Sequence, residues 1–185
     1  MVDSLAGRLL VATPLLTDPN FARTVVLLCA HDEDGAFGVV LNRPLANFGL
    51  VERLPGWGAH ADEPRVLFSG GPVDKSVAVG LARFHQRRAD ATDAQLPHGL
   101  ALIDLTQPAE EALPGLTALR VFAGYSGWGA GQLEREIEEE AWFVIETDGT
   151  EPFNNDPADL WRQVLRRQGG RLAMFAYFPL DPAVN

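Results

Sequence analysis

The chain has 185 residues, of which 46% are hydrophobic and 22% charged, and its formal net charge is −10 at pH 7. This length suffices for one sizeable core, and the acidic charge argues against direct binding to nucleic acid because it repels phosphate backbones. The longest apolar runs are far shorter than the roughly 20 residues that span a bilayer, so we expect no membrane segment. The single cysteine excludes an internal disulfide and multi-cysteine metal sites, as is typical of cytoplasmic proteins.

The first third of the chain predicts three strands. Residues 9–13 form a short apolar run, and residues 25–31 are nearly all apolar and β-branched, which is typical of a strand buried on both faces. An acidic turn ending at Gly35 leads to a third strand over residues 36–41, so the second and third strands form a hairpin. Pro44 ends this unit because proline cannot extend a strand ladder.

The remaining elements alternate between strands and helices. Strands are predicted over residues 66–68, 76–81, 100–105, 119–123 and 142–146. Helices are predicted over residues 47–54, 108–113, 132–140 and 156–167, the last capped by Asn155 or Asp156 with Pro157 in its first turn. Residues 55–64 and 84–97 read as connections, and residues 172–178 as either helix or strand. We therefore predict an α/β protein with a mixed sheet in one domain, residues 1–185, with a possible small subdomain around residues 47–97.

The most informative stretch runs from residue 119 to residue 137, where glycines recur at positions 124, 127, 129 and 131 between a strand and an acidic helix. Such density indicates turns that a Cβ would forbid, or close contact with other atoms. We expect at least one of Gly124, Gly127 and Gly129 to have a positive φ. We also expect Trp128 to be packed, and Glu134 to point toward Arg43 or a backbone amide.

Three known catalytic or nucleotide-binding motifs are approached but not completed. The stretch around Ser126 resembles a G-x-S-x-G elbow, but Trp128 stands where the second glycine is required, and all four histidines precede the serine. The stretch from Gly70 to Ser76 resembles the end of a P-loop, but Asp74 precedes the lysine instead of glycine. The glycines at 127, 129 and 131 are one residue short of the dinucleotide pattern.

Cys29 and His31 lie two residues apart, so on a regular strand they would face the same side and could form a reactive thiolate pair. The favoured interpretation is a buried core cysteine, with His31 hydrogen-bonded at the strand end, because free cysteine is among the most often buried residue types. The acidic turn after His31 is expected to be solvated, and no metal site is predicted.

Several blocks together resemble the YqgE/AlgH family of bacterial proteins, and the resemblance extends over essentially residues 7–185. The matching blocks are GRLLVATP at 7–14, DPNFARTVV at 18–26, GAFGVVLNRP at 35–44, FSGGPV at 68–73, GYSGWG at 124–129 and GQLE at 131–134, with Trp142. The chain departs from the family pattern at residues 77–83. In the family this stretch commonly ends in Leu-His, whereas here it ends in Ala-Arg.

The resemblance implies a compact α/β structure in which a bent, mixed sheet forms a partial barrel flanked by helices. It implies no established activity, cofactor or catalytic residue. One member is named as a regulator of alginate synthesis, which is a weak reason to expect DNA binding here.

Three matched motifs follow the carboxyl ends of predicted strands: residues 42–44, 70–72 and 124–128. Ligands often bind at this position in α/β proteins. The candidate binding residues are Asn42, Arg43, Gly70, Gly71, Tyr125, Ser126, Trp128 and Glu134. The alternative is a rigid polar network that holds tight turns, with Arg43 paired to Glu134.

Two functional classes remain open for this chain. The favoured one is a non-catalytic regulatory or ligand- or protein-binding module in the cytoplasm, a monomer or weak homodimer without cofactor. The alternative is an enzyme with an unrecognised active site at the glycine-motif edge of the sheet. Groups with strongly shifted pKa values in a cleft at the glycine motifs would favour the enzyme, and a flat apolar patch would favour the module.

Overall fold

The computed structural model describes residues 4–85, 96–112 and 114–179. Within these ranges the strands are β1 Arg8–Ala12, β2 Val25–Asp32, β3 Gly35–Val40, β4 Pro44–Gly49, β5 Val66–Ser69, β6 Val73–Phe84, β7 Leu100–Ile103, β8 Leu116–Gly129 and β9 Trp142–Glu146. The α-helices are α1 Leu50–Arg53, α2 Pro55–Gly58, α3 Ala109–Ala112, α4 Gln132–Glu138, α5 Leu160–Gln168 and α6 Gly170–Phe175.

The strands form one mixed sheet that stays open. Its main path runs β4-β5-β8-β3-β2-β1-β9, and β6 joins it by pairing with β8 and with β7. Strand β5 runs parallel to β8, whereas the other neighbouring pairs are antiparallel. The predicted α/β class with a mixed sheet is therefore confirmed, and the sheet does not close into a complete barrel.

Strand β2 is buried on both faces, as its apolar run predicts. Val25, Leu27 and Cys29 belong to one core cluster, and Val26 and Leu28 belong to a second cluster on the opposite face. A continuous apolar run allows this arrangement because successive side chains on a strand point to opposite faces. The sheet is thus covered on both sides at this strand.

Strand β8 joins the two halves of the sheet. Its first half pairs with β5 and β6, and its last residues pair with β3. Phe122 and Tyr125 contribute to the same cluster although they are three residues apart, so the alternation of faces changes between them. Gly124 lies there with φ +68°, a left-handed conformation that allows the chain to change direction without ending the strand.

Several boundaries differ from the sequence predictions. The helix predicted over residues 47–54 is wrong in its first half, because residues 44–49 pair with β5 and only α1 is helical. The strand predicted over residues 76–81 is longer, and the connection over 55–64 contains α2. Most of the connection predicted over residues 84–97 lies outside the described ranges.

The carboxyl-terminal helix also starts later than predicted. Helix α5 begins at Leu160, and neither Asn155 nor Asp156 caps it by a side-chain hydrogen bond. Instead, Asn154 accepts from the backbone amide of Asp156 at 2.7 Å. Gly169, with φ +68°, separates α5 from α6, which resolves the open tail in favour of helix. No helix in the described ranges is both long enough and apolar enough to cross a bilayer.

Candidate functional site

Three strands meet at the backbone of Gly70. Its carbonyl accepts hydrogen bonds from the amide of Val40 at 2.9 Å and from the hydroxyl of Ser126 at 3.2 Å. Its amide donates to the carbonyl of Ala123 at 2.9 Å. The end of β5 is thereby fixed between β3 and β8, and the segment that follows β5 has a rigid floor.

Glycine is required where β3, β5 and β8 meet, because backbone atoms there are in direct contact with other backbone atoms. We call this place the glycine crossing. A Cβ at Gly71 would lie 2.2 Å from the carbonyl oxygen of Tyr125, and one at Gly124 would lie 2.6 Å from that of Val73. The same Cβ on Gly124 would lie 3.2 Å from the Cα of Lys75. The bare backbone at Gly124 therefore lets the start of β6 pack against β8.

A cleft of about 390 Å³ opens beside this crossing, and we call it the glycine cleft. It is lined by Pro19, Asn20, Val40, Asn42, Arg43, Pro44, Leu45, Ser69, Gly71, Pro72 and Lys75. Its volume falls within the range of about 300–1,000 Å³ that is usual for small-molecule sites. The crossing and the turns after β3 and β5 therefore produce a cleft of ligand size.

The glycine cleft is lined by cations without acids. Arg43 and Lys75 line it, and no Asp or Glu of the described residues does. Two other clefts of similar size each combine one arginine with one glutamate, Arg171 with Glu140 at about 430 Å³ and Arg8 with Glu146 at about 450 Å³. In a chain with a net charge of −10, a cleft whose charged lining residues are all positive in the described part of the chain is a local exception.

The structure places Asn42 and Arg43 at the wall of this cleft. The side-chain amide of Asn42 accepts from the backbone of Val25 at 3.0 Å and donates to the carbonyl of Arg23 at 2.9 Å, so it mainly holds the turn. One guanidinium nitrogen of Arg43 donates to the carbonyl of Ala22 at 2.8 Å. This contact positions an otherwise exposed side chain, and the expected pairing of Arg43 with Glu134 is wrong.

Tyr125 and Ser126 lie outside the cleft lining. Tyr125 packs on Phe37 with ring centroids 5.1 Å apart, and Ser126 is fully buried under Gly70. The two residues follow Gly124 within β8 rather than after its end, which corrects the expectation that this motif follows a strand. Both residues support the cleft from below.

Trp128 belongs to a separate assembly, which we call the tryptophan cluster: Phe21, Trp128, Gln132, Glu136 and Trp142. Both indole nitrogens donate to the same oxygen of Glu136 at 2.9 Å, and Gln132 donates to the other oxygen at 2.9 Å. Phe21 packs edge-on against Trp142, with the ring centroids 5.5 Å apart. Trp128 is only 5% exposed, which confirms that it is packed.

Glu134 contacts His31. The Nδ1 atom of His31 accepts from the backbone amide of Leu5 at 3.0 Å, so Nε2 carries the hydrogen donated to Glu134 at 2.9 Å. The pKa of Glu134 lies below its usual range, chiefly because its own backbone amide donates to the carboxylate, with a further contribution from His31. This agrees with the backbone-amide alternative predicted for Glu134.

Cys29 and His31 do not form a pair. The ladder between β2 and β3 shifts register between Leu28 and Ala30, which interrupts the regular alternation of faces around Cys29. The thiol donates weakly to the carbonyl of Leu27 at 3.7 Å, and burial raises the pKa of Cys29 to about 12. The prediction of a buried core cysteine is confirmed.

The eight predicted binding residues thus fall into three groups. Asn42, Arg43 and Gly71 line the glycine cleft; Gly70, Tyr125 and Ser126 support it; Trp128 and Glu134 lie apart, against α4 and its neighbours. Sequence reasoning missed Lys75, which lines the cleft together with Arg43. The signal was that Lys75, the only lysine of the chain, closely follows a Gly-Gly-Pro turn.

Arg120 was also missed, and it has a structural role. Its side chain is only 1% exposed and donates to five backbone carbonyls, those of Asp62, Glu63, Pro64, Pro152 and Asn154. Burial lowers the pKa of Arg120 to about 10. A lone charge within the apolar run of residues 119–123 was the available signal. Arg120 ties the segment before β5 to the segment before α5.

Titratable groups with shifted pKa values are not concentrated at the glycine cleft. Within residues 4–85, 96–112 and 114–179, shifts are seen for Arg23, Cys29, Asp104, Arg120, Glu134 and Asp148, none of which lines it. The same ranges contain no group of three or more His, Cys, Asp or Glu residues arranged to hold a metal ion.

Comparison with known proteins connects this architecture to a family. Residues 9–173 match the family model described as AlgH-like. A UPF0301 protein of Streptomyces coelicolor is 49% identical over 188 residues, covering 100% of this chain and 97% of that protein. A UPF0301 protein of Streptomyces avermitilis is 50% identical with the same coverage of both chains.

Two solved structures share the fold. The crystal structure of a protein from Corynebacterium diphtheriae superposes with a TM-score of 0.87 at 31% identity, covering 96% of this chain and 94% of that one. The solution structure of the AlgH protein from Pseudomonas aeruginosa superposes with a TM-score of 0.68 at 29% identity, covering 97% and 96%.

Proposed function

The chain belongs to the AlgH-like family, and from that premise we propose that it is a non-catalytic ligand-binding module whose binding site is the glycine cleft. We further propose that it acts in the cytoplasm and regulates through the bound ligand, without direct contact to nucleic acid. A net charge of −10 supports the last point, because nucleic-acid affinity depends mainly on neutralising phosphates.

The observation that carries the proposal is the construction of the glycine cleft. Its floor is fixed by the hydrogen bonds of Gly70 to β3 and β8, and two cationic side chains stand at its walls. A floor that is already ordered loses little conformational entropy when a ligand binds. A rigid, concave floor with a few polar groups is the usual form of a small-molecule site.

The composition of the lining favours binding over catalysis. Along the described part of the chain, no imidazole, thiol or carboxylate lines the cleft. Its one hydroxyl, on Ser69, has no histidine or carboxylate base among these lining residues, and it makes no hydrogen bond to the amine of Lys75, the remaining group there that could activate a serine nucleophile. No observation favours the enzyme alternative over the binding module.

The test is ligand capture from native lysate with a variant that fills the cleft. Immobilised wild-type protein is washed and denatured, and the released metabolites are identified by mass spectrometry. Ser69→Phe places a ring in the cleft, and Ala46→Phe is the matched control, because Ala46 is exposed on the neighbouring edge strand β4 outside the cleft lining. Thermal denaturation verifies that all three proteins are folded.

We expect a metabolite that is retained by the wild type and by Ala46→Phe but lost in Ser69→Phe. A metabolite retained equally by all three proteins would place binding elsewhere and contradict the proposal, as would the absence of any retained metabolite. Trp128 is unsuitable as a test position, because its side chain is buried and its removal would disturb the fold.

A further inference from the structure

We propose that the ligand of the glycine cleft is a small phosphorylated metabolite, whose phosphoryl group is held between Arg43 and Lys75. This inference rests on the proposed function and names its ligand class. It follows from the charge of the cleft, from the hydrogen-bonding state of its two cations and from its size.

The charge of the cleft selects for an anion. Arg43 and Lys75 together supply two positive charges, and none of the carboxylates that the structure describes lines the cleft to neutralise them. The two other clefts each hold one arginine and one glutamate, so their formal charges cancel. A doubly charged phosphate monoester matches the glycine cleft better than a neutral or singly charged ligand does.

Both cations have N–H donors that the described part of the protein does not use. Arg43 uses one terminal nitrogen for the carbonyl of Ala22, and this contact fixes the direction of the guanidinium while other N–H groups remain. The side chain of Lys75 has no hydrogen-bond or ion-pair partner within the described ranges. An arginine fork combined with a lysine point charge is a common means of binding phosphoryl oxygens.

Two acids adjoin lining residues in sequence. Asp18 precedes Pro19, and its carboxylate accepts from the backbone amide of Asn20 at 2.8 Å. Asp74 precedes Lys75, and its carboxylate accepts from the hydroxyl of Ser76 at 2.5 Å and from the amide of Ser76 at 3.3 Å. Asp74 has a positive φ of 37° and is not part of the cleft lining. A carboxylate next to the lysine of a P-loop would repel the phosphate, whereas Asp74 stands outside the lining that would contact the ligand here.

The size and the remaining lining favour an organic phosphate over the free ion. The cleft of about 390 Å³ is many times the roughly 30 Å³ that one water occupies, so it has room for more than one small ion. Its walls combine the polar side chains of Asn20 and Ser69 with apolar ones from Val40, Leu45 and the prolines. A phosphoryl group joined to a small, partly apolar body fits this lining.

The experiment compares matched probes on matched variants by isothermal titration calorimetry. The probes are phenyl phosphate, benzoate and inorganic phosphate, which separate the phosphoryl group from a carboxylate on the same ring and from the free ion. The proteins are wild type, Lys75→Gln, Arg43→Gln and Arg8→Gln. The last removes one positive charge from a different cleft, so it controls for net charge.

We expect phenyl phosphate to bind wild type and Arg8→Gln alike, and to bind Lys75→Gln and Arg43→Gln at least about tenfold more weakly, because a charged hydrogen bond is lost. Benzoate and inorganic phosphate should bind wild type more weakly than phenyl phosphate. Lys75→Gln decides the outcome if Arg43→Gln unfolds, because the Lys75 side chain makes no hydrogen bond or ion pair with the described residues that its replacement would break.

The proposal is overturned if Lys75→Gln binds phenyl phosphate as well as the wild type, if benzoate binds as tightly as phenyl phosphate, or if no probe binds. Equal binding of inorganic phosphate would make the free ion the occupant and overturn the organic part. If the probes fail while lysate capture still yields a ligand sensitive to Ser69→Phe, the ligand class is wrong and the binding function stands. If both fail, the proposed function fails too.

Discussion

The glycine cleft and the tryptophan cluster lie beside two parts of the same strand, β8, but they differ in what occupies the space beside its backbone. Near Gly124 the neighbour is other backbone, and the side chains that remain stand around an open cleft. Four residues later, Trp128 fills the space with its ring, and Glu136 satisfies the indole N–H groups. One region leaves polar groups exposed, whereas the other pairs them internally.

This difference separates two uses of glycine within one motif. Gly70, Gly71 and Gly124 are required because a Cβ would lie within 2.6 Å of a carbonyl oxygen. At Gly127 and Gly129 the nearest atoms to a Cβ lie 3.6 and 3.9 Å away, so side chains would be accommodated. A dense run of glycines therefore does not mark one site, and its members must be judged by their surroundings.

The largest expected effect is in the tryptophan cluster. Trp128→Ala should reduce the free energy of unfolding by about 3–5 kcal/mol, because it removes a buried ring packed on Phe21 and Trp142. Trp128→Phe, which keeps an aromatic ring, should lose less. Urea denaturation measures both variants, and a loss below about 1 kcal/mol for Trp128→Ala would show that the cluster is not part of the core.

The next effect concerns the backbone crossing. Gly124→Ala should cost about 2–4 kcal/mol, because it combines left-handed strain with a forced shift against the carbonyl of Val73. Gly127→Ala, in the same strand but with open space, should be neutral or slightly stabilising. Equal costs at the two positions in the same denaturation assay would remove the distinction between the two kinds of glycine.

Glu136 tests how strongly the tryptophan cluster depends on its carboxylate. Glu136→Gln replaces one of the two acceptor oxygens by an NH₂ group, although the side chains of Trp128, Gln132 and Trp142 all donate to this carboxylate. We expect the free energy of unfolding to fall by about 1–3 kcal/mol. The control is Glu139→Gln on the exposed end of the same segment, which should change stability by less than about 0.5 kcal/mol. The prediction fails if the two variants unfold at the same denaturant concentration.

Cys29 provides a pH-dependent check on the sheet that both regions share. Its thiol pKa is raised by burial from 9.0 to about 12, so the unfolded chain loses the thiol proton first as pH rises. The stability that the protonated thiol contributes is complete below pH 9 and is lost progressively between pH 9 and 12. The loss at pH 10 is about 1.4 kcal/mol.

Cys29→Ala isolates this contribution. Between pH 8 and pH 10, the free energy of unfolding of this variant should fall less than that of the wild type. Native Cys29 should also react slowly with a thiol reagent and rapidly in denaturant. Rapid labelling of the folded protein would contradict its burial.

The smallest stability effect is expected in the glycine cleft. Lys75→Gln should change the free energy of unfolding by less than about 0.5 kcal/mol, because its ammonium has no partner in the described ranges and is solvated. A loss above about 1 kcal/mol would mean that Lys75 stabilises the fold, and the contrast between an open cleft and a closed cluster would then weaken.

Much of the fold could be predicted from local patterns. The doubly buried β2, the hairpin after it and the α/β class follow from apolar runs and turn residues, which act over a few positions. The helix predicted at residues 47–54 failed because pairing with β5 overrides the weak local preference of residues 44–49. Gly124 was expected in a turn after a strand, yet β8 continues through it because β3 pairs with the residues beyond.

The candidate site was less predictable, because it depends on contacts between distant segments. Arg43 and Lys75 are 32 positions apart in sequence, and the fold brings them to one cleft. Trp128 and Glu134 were grouped with that cleft because they belong to the same sequence motif. Their side chains instead contact Glu136 and His31, which sequence spacing alone does not reveal.

The most direct test of the contrast between the two regions is an NMR titration of the ¹⁵N-labelled wild-type protein with phenyl phosphate. If the glycine cleft binds the ligand and the tryptophan cluster is structural, the backbone amide signals of Gly71 and Lys75 should shift with increasing ligand. The indole N–H signals of Trp128 and Trp142 should stay in place. Shifts of the indole signals with unchanged amides at Gly71 and Lys75 would contradict this assignment, as would a titration without any shift.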